Sequence, residues 1–84
     1  MIDLKILSTP YCPPCVFATR IADKLKIDFP DVRVTRVDMS EQPQMALDYQ
    51  VFAAPGIVIN GKLEFQGGMN EQQLRDKLQR LSHP

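Results

Sequence analysis

The spacing of hydrophobic and polar side chains changes several times along this chain, and each change marks an element. Residues 3–7, DLKIL, read as a short strand. From Cys15 to about Lys26 the repeat lengthens. Phe17, Ile21 and Leu25 fall four apart with Ala18 and Ala22 beside them, while Arg20, Asp23, Lys24 and Lys26 fall elsewhere, which is the pattern of an amphipathic helix. Pro30 closes the connection, and VRVTRV at 32–37 alternates valine with polar residues as a half-buried strand does. Asp38 then leads into SEQPQMALDYQ, where Ser40 is expected to cap a second helix whose apolar contacts are Met45, Ala46 and Tyr49. Beyond it, Ile57 to Ile59 and Leu63 to Phe65 flank Asn60-Gly61, a dipeptide suited to the positive φ angles of a tight hairpin turn. Asn70, with Gln73 three positions on, is expected to cap a last helix whose buried stripe is Leu74, Leu78 and Leu81.

The predicted order is β-α-β-α-β-β-α, an α/β chain with a four-stranded mixed sheet flanked by helices. A helix joins the first two strands, so they are expected to be parallel with a right-handed crossover, and the hairpin supplies antiparallel strands. There is no repeat, low-complexity tract or linker-like segment, so residues 1–84 are read as one domain. At 84 residues and 44% hydrophobic composition, its core is thin.

Charge narrows the function classes. Ten basic and ten acidic side chains cancel, which argues against a nucleic-acid footprint, and Arg33 and Arg36 are read as a solvated strand face rather than phosphate contacts. No run is long enough to cross a bilayer and the beginning, MIDLKILSTP, has no signal-peptide pattern, so no membrane association is expected and the expected location is cytoplasmic.

The chemistry gathers in STPYCPPC, which holds both cysteines, Cys12 and Cys15, with Pro13 and Pro14 between them. Three uses are open: a metal site, a structural bridge or a working redox couple. A bridge would close so short a loop that it constrains the unfolded chain only weakly. Zinc usually takes four ligands, and His83, the single histidine, sits next to the C-terminus. Copper-carrying modules with C-x-x-C before a helix usually carry a methionine two positions before the first cysteine, where this chain has Pro10.

A C-x-x-C at the junction of a first strand and helix, a proline opening a β-hairpin and a closing helix together resemble the thioredoxin–glutaredoxin superfamily, and YQVFAAPGIVINGK and VDMSEQP are similar to its segments around the second helix. In length the chain is closest to glutaredoxins or to small glutaredoxin-like thioredoxins, without the extra strand and helix that full thioredoxins carry ahead of the active-site strand. The resemblance implies a thioredoxin-like fold and a thiol–disulfide oxidoreductase, with Pro55 as the family's cis-proline and Ala54 before it. It implies catalytic roles for Cys12 and Cys15, and substrate contacts at Tyr11, Pro13, Ala54, Pro55, Gly67 and Gly68. Two departures matter. The aspartate that thioredoxins bury before the active site corresponds to Ile6, and the glutathione-binding Thr-Val-Pro of glutaredoxins reads Ala53-Ala54-Pro55.

Within that resemblance, Cys12 is the expected nucleophile. It precedes the helix, where unpaired N–H groups and the dipole favour a thiolate, while Cys15 in the first turn is shielded and resolves the mixed disulfide. Prolines suit the first turn but donate no N–H, which leaves the Cys15 amide as the nearest donor to the Cys12 sulfur. The expected thiolate stabilisation is therefore moderate, with a pKa toward about 7 rather than about 3.5, as in a reductant. The expected partners are disulfide-containing client proteins, with a flavoprotein thioredoxin reductase favoured over glutathione as electron donor. The protein is expected to be a monomer with no bound cofactor or metal, its working group being the Cys12–Cys15 disulfide. Two alternatives stand beside this: a carrier in which two copies of Cys12 share a metal or iron–sulfur cluster, and a glutathione-dependent glutaredoxin.

Overall fold

The computed structural model describes residues 1–82. Its elements are β1 (Ile2–Ser8), α1 (Pro13–Asp28), β2 (Val32–Asp38), α2 (Pro43–Asp48), β3 (Gly56–Ile59), β4 (Lys62–Gln66) and α3 (Glu71–Ser82). This is the order expected from the pattern of the chain. The sheet runs β2-β1-β3-β4. β1 pairs parallel with β2, Ile2 opposite Val32 through Ser8 opposite Asp38, and antiparallel with β3, Leu7 opposite Gly56. Asn60 and Gly61 form the β3–β4 turn with φ of 52° and 83°, angles that a tight hairpin requires.

Burial follows from position in the sheet. β3 lies between two strands and is covered on both faces, so all four of its residues are buried. Ile6, Ile57 and Leu4 meet Ala18, Ile21 and Leu25 of α1 and the leucines of α3 in the larger core. On the opposite face Leu7, Val37, Val51 and Val58 form a smaller core that Met45 and Tyr49 cover from the α2 side. Met45, Ala46 and Tyr49 are half-buried, in line with the contacts read for that helix. Ion pairs link α1 to α3, Lys24 to Glu71 and Arg75 to Asp28, each at 2.9 Å. The α3 cap is reciprocal. The Gln73 amide donates to Asn70 Oδ1 at 2.8 Å, and the Asn70 amide donates to Gln73 Oε1 at 2.9 Å.

Four local expectations are corrected. α1 starts at Pro13, two residues before the periodicity begins, because prolines occupy the positions whose amides need no intrahelical acceptor. Its buried stripe is Cys15, Ala18, Ile21, Ala22 and Leu25, while Phe17 is 66% exposed. At about 100° per residue Phe17 stands on the order of 90° from the centre of that stripe. Ser40 does not cap α2. Gln42 precedes the helix without a side-chain cap, Pro43 sets its start, and Ser40 instead donates through N and Oγ to Asp38 Oδ1 at 2.9 and 2.6 Å. Leu81, finally, is 44% exposed, so α3 meets the sheet through Leu74 and Leu78.

Candidate active site

β1 ends at Ser8, and the loop after it carries the chain to the N-terminus of α1. Tyr11 turns the loop with φ of 57° and is fully exposed, and Cys12 is the helix N-cap with φ −115° and ψ 97°. The two prolines take the first helical positions, and Cys15 closes the first turn. Cys12 and Cys15 are joined by a disulfide with their Cα atoms 5.2 Å apart. The Cys15 amide donates to Cys12 Sγ at 3.2 Å, the donor left when proline fills both intervening positions. The two cysteines differ in access: Cys12 is half-buried, and Cys15 is 4% exposed.

The second half of the site arrives from β3 and β4. Leu7 pairs with Gly56 and Gly56 with Gln66, so the end of β1, the start of β3 and the end of β4 share one end of the sheet. The Ala54–Pro55 peptide there is cis, and Pro55 is fully buried. Gly67, at φ 82°, donates its amide to the carbonyls of Ala53 at 3.2 Å and Pro55 at 3.0 Å. Gln66 Oε1 accepts from the amides of Phe52 and Ala53. Among the described residues neither the amide nor the carbonyl of Ala54 has a hydrogen-bond partner, so its backbone is free to pair with another chain. Gly68, at φ 131°, continues the same turn.

Cys12, Cys15, Tyr11, Pro13, Ala54, Pro55, Gly67 and Gly68 thus all fall at one end of the sheet. The sequence reading missed Gln66 and the 84%-exposed Phe52. A glutamine at a strand end carries no signal of its own, because its partners lie thirteen and fourteen residues back. Phe52 had one, as the large apolar residue in a stretch of small ones, FAAPG. At the same end, hydrogen bonds from the Ser40 hydroxyl and amide hold the Asp38 carboxyl below its ordinary range. Tyr11, Cys12 and Pro13 also open onto a groove of about 1000 Å³ along α1.

Among the described residues no three His, Cys, Asp or Glu side chains come together as a metal site, and no helix is long and apolar enough to cross a membrane. His83, the remaining candidate zinc ligand in the sequence, lies outside the described residues. The chemistry that the site offers is that of its sulfurs.

A disulfide at a helix N-terminus, beside a cis-proline that opens an antiparallel strand, defines a thiol–disulfide oxidoreductase of thioredoxin fold. Residues 2–79 match the thioredoxin domain family model, and the chain belongs to that family. It is 32% identical to thioredoxin of Methanocaldococcus jannaschii over 80 residues, 94% of each chain. Among solved structures, thioredoxin of Fasciola hepatica superposes with a TM-score of 0.79 at 28% identity, covering 94% of this chain and 79% of that one. The oxidized mitochondrial thioredoxin 3 of Saccharomyces cerevisiae gives 0.79 at 27% identity, covering 94% and 77%. The redox-active group is the Cys12–Cys15 disulfide, and the family pairs such a group with disulfide-bearing client proteins and a reductase.

Proposed function

We propose that the protein works as a reductant of protein disulfides, with Cys12 attacking and Cys15 resolving. The Cys12 thiolate attacks one sulfur of a client disulfide, forming a mixed disulfide and releasing the other client sulfur as a thiolate that takes a proton. Cys15, deprotonated, then attacks Cys12 Sγ, forms the Cys12–Cys15 disulfide and releases the second client thiol. Two electrons pass from the dithiol to the client. The observation that carries this assignment is the difference in access between a half-buried N-cap cysteine and one 4% exposed.

The unpaired Ala54 backbone supports a client held as an added strand, with Tyr11, Pro13, Pro55, Gly67 and Gly68 around it. Ala53 and Ala54 in place of a polar glutathione-binding segment favour proteins over glutathione mixed disulfides, and a flavoprotein thioredoxin reductase as the source of the two electrons. A reducing role of this kind fits a cytoplasmic setting, a monomer and one domain spanning residues 1–84.

One amide on Cys12 Sγ, rather than several, stabilises the thiolate modestly. A less stabilised dithiol form is the better reductant, so the midpoint belongs near about −270 mV rather than about −180 mV. The test is insulin reduction run beside a glutathione-coupled assay, with the Cys12–Cys15 pair equilibrated against graded thiol buffers. Insulin reduction without glutathione-coupled turnover is expected. A midpoint above about −200 mV, in the range of oxidative folding catalysts, overturns the reductase direction.

A further inference from the structure

The groove at the disulfide extends well beyond the two cysteines that exchange. From Tyr11 and Cys12 it follows one flank of α1 past Val16, Phe17 and Arg20 to Asp23, with Arg36 contributed by the edge strand β2. Arg36 pairs in register with Ile6, which packs under α1, so its Cα lies on the helix-covered face of the sheet.

Two features of this flank bear on what it receives. Val16 and Phe17 are 52% and 66% exposed, one helical turn from the reacting sulfur. Arg20 and Arg36 are exposed and make no ion pair among the described residues, and of the six such cations, with Lys26, Arg33, Lys62 and Arg80, they are the two that line this groove. Asp23, also unpaired, lies at the far end. Apolar side chains therefore come first along the groove and two free guanidinium groups second, with an excess of positive charge.

Helical rise sets the distances. Phe17 is about 7 Å and Arg20 about 12 Å along α1 from Cys12. An extended peptide advances about 3.3 Å per residue, so those distances correspond to about two and about four residues from a client cysteine bonded to Cys12.

We infer that this groove selects clients: it receives the client arm leading away from Ala54, an apolar residue about two positions from the attacked cysteine meeting Val16 and Phe17, and acidic residues at about three and four positions meeting Arg20 and Arg36. The inference rests on the reading that clients are protein disulfides, and it adds which of them are preferred. Exposed charge pairs are individually weak and are screened by salt, so the preference is several-fold, acts largely on encounter and fades as ionic strength rises.

The experiment uses synthetic peptides with one cysteine disulfide-bonded to a fluorogenic thiol, leucine two positions away and either two glutamates or two lysines at the next two positions, made with this arm on either side of the cysteine. The whole protein, recycled by dithiothreitol, reduces them. For one arm direction the acidic peptide is expected to show a kcat/KM about fivefold above the basic one at low salt, and the ratio is expected to fall toward unity at high salt. The double substitution Arg20→Glu and Arg36→Glu is expected to reverse the preference, which misfolding cannot do. Equal kcat/KM for both peptides in both directions, or a preference that survives the double substitution, overturns the inference and leaves the reductase reading standing. Failure to reduce any of the peptides overturns both.

Discussion

The amide of Ala53 donates to Gln66 Oε1 at 2.9 Å, and through this bond the last residue of β4 holds the loop that carries Ala54 and Pro55. The same oxygen accepts from Phe52, and the Gly67 amide adds bonds to the Ala53 and Pro55 carbonyls. Truncating Gln66 to Ala removes the side-chain half of this clamp. The expected result is a loss of about 1 kcal/mol of stability for these solvent-exposed bonds. The KM for insulin is expected to rise by about threefold, with the Cys12–Cys15 midpoint potential unchanged. A change in kcat alone would show that the clamp does not position the client.

Cys15→Ser is expected to accumulate a stable mixed disulfide with client protein, since Cys12 still attacks and nothing resolves. Cys12→Ser is expected to give none. Non-reducing gels and mass spectrometry of the trapped adduct check this. Alkylation of the reduced protein at neutral pH should label Cys12 ahead of Cys15, and the opposite order would exchange their roles.

Release of the client depends on deprotonating Cys15, which is 4% exposed. The residues buried among the described part of the chain include no polar or charged side chain, and Ile6, in the strand before the site, is apolar and fully buried. Without a buried base, resolution of the mixed disulfide is expected to accelerate steadily from pH 7 to pH 9. Stopped-flow measurement of client release gives the profile, and a rate flat across that range would reveal a proton acceptor.

Gly56 is a glycine because the segment that follows α2 passes close against it. A Cβ there would meet Cγ1 and Cγ2 of Val51, each at 2.7 Å, and both residues are buried. Gly56→Ala is expected to cost about 1–3 kcal/mol through overpacking. Val51→Ala, itself destabilising through lost burial, should recover part of that loss in the double variant, because the two changes share one space. Chemical denaturation of the four proteins measures the coupling, and strictly additive losses would contradict it.

Two carboxyls contribute to the acid limb of stability. Ser40 hydrogen bonds hold Asp38 low, and Glu71 is held low chiefly by its bond to Lys24, with Arg75 adding to it. Each folded-state pKa lies below its unfolded value, ordinarily about 3.9 for Asp and about 4.3 for Glu. Their contribution is therefore fully present above about pH 5 and is lost as pH falls through the folded values. The urea midpoint should hold down to that pH and then drop, and Asp38→Asn or Glu71→Gln should each make the drop shallower.

Much of this protein was legible in its sequence. The element order followed from local periodicity and turn chemistry: the change from strand to helix after Cys12, the Asn60-Gly61 turn, and the Asn70 and Gln73 pair that caps α3. The Cys12 position was legible too, since prolines at 13 and 14 leave the Cys15 amide as the nearest donor to its sulfur. These features depend on residues within a few positions of one another, which is why the chain itself determines them. Tertiary structure decided the rest. Phe17 keeps an apolar spacing yet faces out, because the phase of α1 is set by which side meets β1. Ser40 is the local exception, bonding Asp38 two residues back while Pro43 fixes the start of α2. Gln66 reaches Ala53, and Arg36 joins Arg20 along the groove that leads from the disulfide, only because sheet register and a parallel crossover bring distant segments together. Such contacts connect residues far apart in the chain, and pairings of that range leave no periodicity in the sequence to read.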